Sequence, residues 1–304
     1  MAKAQRKQGN ELKGVILAGG SGTRLKPMTS VVCKQLLPVY DKPMIYYPLS
    51  TLIHAGVTEV LLVSSPDQLD NFKNLLKDGK QYGITIEYKE QKIPAGLPQG
   101  ITLAEDFLNG ESFWFILGDN LFHGPDFGAS LRQFALESKR GAGVFAYRVS
   151  DVSQYGVVIY SKDGKKVIHV EEKPTLTEPG WAIPGLYFFD NKSVDLAKNL
   201  SLSQRGEYEI IDLIKGYLRV DELRVKPISR GNAWFDLGTT ENLLTGSNFV
   251  HLIQTRQGLL VGSPEEAALN AGILSLENFN LNVFNSSGSS YFQTLRFLAQ
   301  NNPQ

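Results

Sequence analysis

The chain has 304 residues, 42% of them hydrophobic and 20% charged, with Lys+Arg and Asp+Glu both at 31. That composition excludes global disorder, collagen and a simple coiled coil, and a formal charge of zero supplies no bulk attraction to nucleic acid or an anionic membrane, so any anion site must be local. The single cysteine, Cys33, excludes an intrachain disulfide framework and a multi-cysteine zinc site, which suits a reducing, cytoplasmic setting.

Residues 1–11 contain Lys3, Arg6 and Lys7 without an apolar stretch and read as a loose tail, not a secretory signal. Short apolar runs at 15–18, 60–64, 84–88, 113–117 and 144–147 then predict buried strands. Between them Ile101, Ala104, Phe107 and Leu108, and then Phe127, Leu131, Phe134 and Ala135, recur at helical spacing. Alternation of this kind predicts right-handed crossovers, a mostly parallel sheet covered on both faces, and a ligand site at the carboxyl ends of its strands. No run approaches the roughly 20 apolar residues a membrane span needs. Beyond about residue 150, β-like runs at 157–160, 167–170 and 182–189, joined by polar turns such as Lys162-Asp163-Gly164, predict hairpins against the main sheet. Helices are predicted from about Glu207 and over 240–254, ahead of a Ser- and Gly-rich stretch at 285–290. The expected division is a tail at 1–11, a core at 12–245 and a helical assembly segment at 246–304.

The sharpest motif is the strand ending in Gly19, Gly20, Ser21, Gly22, Thr23 and Arg24. Glycines let backbone N–H groups approach a phosphate, and arginine adds a charge-assisted fork; the alternative is a tight turn that needs glycine only for its dihedrals. The dinucleotide fingerprint would need glycine where Leu25 stands, and no Gly-Lys-Ser/Thr closes a P-loop. Lys34 lies close enough in sequence to reach the same phosphates, although a lone loop lysine is commonly a surface group. Asp119 and Asn120 follow the apolar run 113–117, where a metal-bound substrate would sit, although Gly-Asp after a strand is also an ordinary turn. Asp236, in Ala-Trp-Phe-Asp-Leu-Gly-Thr, is the second candidate carboxylate. Four scattered histidines show no ligand spacing.

The glycine-rich turn together with Lys-Gln-Leu-Leu-Pro-Val-Tyr-Asp-Lys-Pro-Met-Ile-Tyr-Tyr-Pro-Leu-Ser, starting at Lys34, resembles the sugar-1-phosphate nucleotidylyltransferases, most closely their thymidylyl branch, over residues 13–263. The resemblance implies an α/β, Rossmann-like (GT-A-like) nucleotidyltransferase core with a mostly parallel or mixed sheet, appended β-hairpins and C-terminal helices. It implies transfer of a thymidylyl group from dTTP to α-D-glucose 1-phosphate, giving dTDP-glucose and pyrophosphate, with UTP or a modified hexose 1-phosphate as alternatives. A catalytically silent nucleotide-sugar sensor is the rival of a different class. Arg24, Lys34 and Lys173 would neutralise phosphate charge, and Asp119 with Asp236 would hold Mg²⁺. Gln91 would read the base, since an amide offers both donor and acceptor to the N3–H and O4 edge of thymine or uracil, with Gly96 and Leu97 beside it. Gly156, Glu172, Lys173 and Ile183, with Asn120, would hold the sugar phosphate; without the resemblance, Glu-Glu-Lys reads as a solvated surface. Departures from the family pattern fall at Ala95, Pro98, Gly100 and Pro184 and bear on base and sugar choice. Relatives are commonly homotetramers, for which the helix near 243–253 suits an interface. Relatives also often bind an end product at a second site near Arg230–Phe235, where Asn232 replaces the usual aromatic and predicts weak inhibition.

Overall fold

The apolar runs of the first half are buried on both sides, as parallel strands between helices must be. The structure, a computed structural model, describes residues 12–20, 22–138, 140–175, 177–284, 286 and 288–301; the expectations for the tail at 1–11 and for Ser21 lie outside the described residues. In chain order come β1 (Leu12–Leu17), the short pair β2 (Pro38–Val39) and β3 (Lys42–Pro43), α1 (Tyr46–His54), β4 (Val57–Ser64), α2 (Pro66–Leu76), β5 (Thr85–Glu90), α3 (Pro98–Leu103), α4 (Glu105–Leu108), β6 (Phe113–Leu117), β7 (Asn120–His123), α5 (Phe127–Glu137) and β8 (Ala142–Val149). Then follow β9 (Gly156–Tyr160), β10 (Val167–Glu172), β11 (Gly180–Ala182), β12 (Leu186–Phe189), α6 (Lys192–Lys198), α7 (Ile210–Arg219), β13 (Leu223–Pro227) and β14 (Ala233–Asp236). Helices α8 (Thr240–Gln257), α9 (Pro264–Asn270), α10 (Leu276–Phe284) and α11 (Ser290–Asn301) complete the described chain.

The main sheet runs β10-β9-β11-β8-β12-β6-β1-β4-β5, with β13 beside β8. Its centre is parallel: Gly14 of β1 pairs with Trp114 on one side and Val60 on the other, and β5 continues beside β4. Antiparallel β12 between β6 and β8 makes the sheet mixed. Alternate residues face opposite layers. Ile16, Leu62 and Trp114 join the core made with α1, α2, α5 and the C-terminal helices, while Val15, Leu61 and Phe115 join the core made with α3, α4, α6 and α7. A third cluster, including Leu25, Val39, Leu121, Leu237 and Val250, ties the glycine-rich turn, the β7–β14 pair and α8 together.

The α/β architecture with appended hairpins and C-terminal helices is the one expected, with local differences. The helical pattern around 101–108 is broken at Ala104 into α3 and α4. The β-like run 182–189 is broken at Ile183-Pro184-Gly185, because Pro184 has no N–H for a ladder and the Ile183 N–H goes instead to the Gly156 carbonyl at 2.7 Å. Gly185 lies beside the carboxyl end of β6, its carbonyl accepting the Leu117 N–H at 2.9 Å. Helix α7 starts at Ile210, leaving Glu207 to Glu209 in the preceding loop. Helix α8 runs across position 245, and no helix among the described residues is long and apolar enough to cross a membrane.

Candidate active site

Parallel strands β1, β4, β5 and β6 end at one edge, so the loops after them meet there. Their last residues are stitched by backbone hydrogen bonds: Ala18 N–H to Val63, Gly118 N–H to Leu17 and Gln91 N–H to Ser64, at 2.8, 2.9 and 2.7 Å. Gly20 and Gly22 adopt φ of 108° and 57°, where a side chain would be strained, and this lets β1 turn sharply into the helical turn Thr23–Leu25. Leu25 is completely buried. Its burial contributes roughly 1.5–3 kcal/mol and anchors Arg24 in the wall of the site. Gly19 has a different duty: a Cβ there would stand 2.1 Å from Oε1 of Gln91, so a larger residue would push that amide off the turn.

A cleft of about 280 Å³ opens at this edge. Arg24, Gly96, Leu97 and Asp119 line it from the expected nucleotide set, as do Asn120, Gly156, Glu172, Lys173 and Ile183 from the expected sugar set, together with Asp236. Gly19, Gly20, Gly22, Thr23, Lys34 and Gln91 are not part of that lining; Gln91 is buried, whereas Gly20 and Thr23 are exposed.

The antiparallel pairing of β7 with β14 brings the two carboxylates together: Asp236 pairs with Asn120, and the Leu237 N–H donates to the Asp119 carbonyl at 2.9 Å. Lys34 does not lie open to solvent; its ammonium donates to Oδ2 of Asp119, while the Asn120 amide donates to Oδ1 at 2.9 Å. Burial opposes ionisation of Asp119, but the Lys34 charge and hydrogen bond, with the Asn120 amide, outweigh it and hold the carboxyl below its ordinary range. Asp236 is pushed up to about 6, first by burial and then by the negative Asp119, which Lys34, Arg24 and the Gly238 N–H offset only in part. Asn120 is itself fixed, its Oδ1 accepting from Trp234 Nε1 at 2.7 Å and from the Gly185 N–H at 3.0 Å. Its amide therefore orients Asp119 as well as facing the cleft.

On the other side, Glu172 ends β10 and Lys173 follows with a φ of 45°. A left-handed lysine costs on the order of 1 kcal/mol, and the Lys173 N–H bond to the Tyr155 carbonyl, at 3.0 Å, holds it in place. Burial raises the Glu172 carboxyl above its ordinary range, against the pull of Lys173 and Arg205. Arg205 escaped the sequence reading. Its Nη2 lies 3.3 Å from Glu172 and 2.7 Å from Glu209, whose carboxylate also accepts from Arg205 Nε at 3.1 Å and from Ser203 Oγ at 2.7 Å. The loop carrying Arg205 is tied to the base loop, for Gly96 bridges Tyr208 and the Tyr208 N–H donates to the Ala95 carbonyl at 2.9 Å. Nothing local in Gln-Arg-Gly-Glu-Tyr-Glu distinguishes such a segment from a solvated loop; an arginine just before a strongly amphipathic helix was the only available signal.

Chemically, the cleft concentrates Arg24, Lys173 and Arg205 around two groups of carboxylates. Buried Asp119 and half-buried Asp236 supply hard oxygen ligands and leave the remaining positions to substrate and water, which is the donor set Mg²⁺ takes and differs from a closed His/Cys zinc site. Among the described residues no cluster of three or more metal-ligating side chains offers an alternative.

This site, at the carboxyl edge of a mostly parallel sheet, defines a nucleotide-handling transferase, and residues 13–252 match the family model described as Nucleotidyl transferase. The chain belongs to that family. It is similar to the glucose-1-phosphate thymidylyltransferase of Mycolicibacterium smegmatis, 48% identical over 263 residues covering 86% of this chain and 90% of the relative. It is also similar to the enzyme of that name from Neisseria gonorrhoeae, 44% identical over 94% of this chain and 99% of the relative. Among solved structures, a Bacillus anthracis protein described as a candidate glucose-1-phosphate thymidylyltransferase, in complex with a sucrose, superposes with a TM-score of 0.72 at 34% identity, covering 78% of this chain and 94% of that one. A UDP-glucose pyrophosphorylase complexed with UDP-glucose, at TM-score 0.66 and 23% identity over 79% of this chain and 98% of that one, shares the fold.

Proposed function

We propose that this chain transfers the thymidylyl group of dTTP to α-D-glucose 1-phosphate, forming dTDP-glucose and releasing pyrophosphate. The observation that carries the reading is one cleft with Arg24 and the Asp119–Asp236 pair at the glycine-rich turn and Glu172, Lys173 and Arg205 opposite. A sugar phosphate dianion is already an adequate nucleophile, so no side chain need attack; an oxygen of the sugar phosphate displaces pyrophosphate in line at the α-phosphorus. The protein's work is alignment and neutralisation. Arg24 forks the triphosphate, Lys173 and Arg205 meet the sugar phosphate, and Glu172 accepts hexose hydroxyl protons. Mg²⁺ held by Asp119 and Asp236 would offset charge developing on the nucleotide phosphate. Lys34 keeps Asp119 ionised for that task.

Gln91 reads the pyrimidine edge, which thymine and uracil share, so UTP is the nearest competing substrate. Cytoplasmic dTDP-sugar supply for polysaccharide assembly, including O-antigen, belongs to the same reading. So does a homotetramer, which the outward Leu244 and Leu252 of α8, 62% and 55% exposed, suit. A matrix of nucleoside triphosphates against sugar 1-phosphates, with pyrophosphate release and product mass as readouts, tests the assignment. Turnover restricted to another base, or to a sugar other than glucose, would overturn the corresponding half; no turnover with any pair would favour a silent sensor.

A further inference from the structure

The base loop holds a residue that neither the motifs nor the transfer chemistry singled out. Gln99, in the first turn of α3, folds its side chain back over the loop. Its Oε1 accepts two hydrogen bonds, from the Ala95 backbone N–H at 2.9 Å and from Gln91 Nε2 at 2.7 Å. A backbone N–H only donates, so the Gln99 atom facing Ala95 must be its oxygen. That oxygen can be met at 2.7 Å only by a donor, which must be the NH₂ end of the Gln91 amide. The Gln91 oxygen therefore points the other way, over Gly19, where an added Cβ would be 2.1 Å from it. Both ends of the relay are rigid. Gln91 is buried and bonded through its N–H to Ser64, and α3 is seated on the sheet by Ile101, which has no exposure.

We infer that Gln99 is a positioning residue for base selection, setting the polarity of the Gln91 amide so that it presents an acceptor oxygen and one remaining N–H to the pyrimidine. The inference rests on the reading of Gln91 as the residue that meets the base. Thymine and uracil place an N3–H donor beside the O4 acceptor, whereas cytosine places a bare N3 beside a donating amino group. Turned end for end, the same glutamine amide suits cytosine as well as the original orientation suits thymine. Glutamine alone has no preference, so discrimination requires a neighbour of fixed polarity. Here the Ala95 N–H supplies it and Gln99 passes it on.

The test compares kcat/KM for dTTP and dCTP, with glucose 1-phosphate as acceptor and pyrophosphate release as readout, in the wild type and in Gln99→Met, Gln99→Glu and Gln91→Leu. Gln99→Met keeps side-chain length while removing the acceptor, and the preference for dTTP over dCTP is expected to fall by about tenfold or more, mainly through KM. Gln99→Glu offers only acceptors to both donors and is expected to restore the preference. If Gln91→Leu loses the preference while Gln99→Met keeps it, the relay is wrong and the base reading stands. Should Gln91→Leu retain it, the base reading fails and takes the relay with it. A merely structural Gln99 would lower thermal stability and both rates together without moving their ratio, or would leave Gln99→Glu as indiscriminate as Gln99→Met; either result overturns the inference.

Discussion

Replacing Asp236 with asparagine separates what the carboxylate does for the fold from what it does for the reaction. Asp236 sits half-buried at the end of β14, its Oδ1 accepting the Gly238 N–H at 3.0 Å, a bond the asparagine oxygen can keep. Its carboxyl is lifted from the ordinary 3.8 to about 6 by burial and by Asp119. Keeping it ionised at neutral pH therefore costs the metal-free fold about 3 kcal/mol. The folded state binds this proton more tightly than the unfolded chain, so wild-type stability without divalent metal should rise as pH falls from neutral through about 6 toward about 4, and Asp236→Asn should lack that slope. At neutral pH with a chelator, urea denaturation should show the variant more stable by up to about 3 kcal/mol. Turnover with Mg²⁺ should nevertheless fall by orders of magnitude, because the amide removes a charge opposite the nucleotide phosphate. A variant no more stable than the wild type at neutral pH, or one that keeps near-normal Mg²⁺-dependent turnover, would refute the reasoning for the corresponding half.

Lys34→Met removes one partner of a pair whose side chains are 14% and 12% exposed, leaving the Asp119 charge buried beside Asp236, so unfolding free energy should drop by about 3–5 kcal/mol. Recovery is expected when Asp119→Asn is added, and a loss below about 1 kcal/mol in the single variant would sink the pairing argument. Gln91→Glu should weaken use of dTTP, since a carboxylate cannot donate to O4 and would also face Gln99 Oε1, now 2.7 Å from the Gln91 amide nitrogen, acceptor to acceptor; unchanged kcat/KM for dTTP would refute it. Inhibition by dTDP-6-deoxyhexoses should be weak. Asn232 offers no stacking face, and its amide donates to the Ser229 carbonyl at 3.1 Å and packs over Gly124. Strong inhibition, non-competitive with both substrates, would show the expectation wrong.

Local sequence was sufficient wherever a feature depends on residues close together in the chain. Apolar runs separated by helical periodicity dictate a covered, mostly parallel sheet, because strands buried on both faces tolerate no polar alternation. The glycines before Arg24 favour a sharp exit from β1, because positive φ there would strain a side-chain-bearing residue. Asp119 and Glu172 stand at strand ends that the apolar pattern marks, and both line the cleft. What the tertiary structure decided are pairings between distant segments. Lys34, a phosphate candidate in the sequence, is paired with Asp119, and Asn120 braces Asp119, Trp234 and Gly185. Arg205 arrived from a segment that looks like surface, and the Gln99 oxygen took a specific side through a backbone N–H across a loop. Such groups carry no signature in their own neighbourhood: a charge or amide acquires its direction and proton affinity from whatever the sheet and its loops place within about 3 Å of it, and burial then makes that choice energetically decisive.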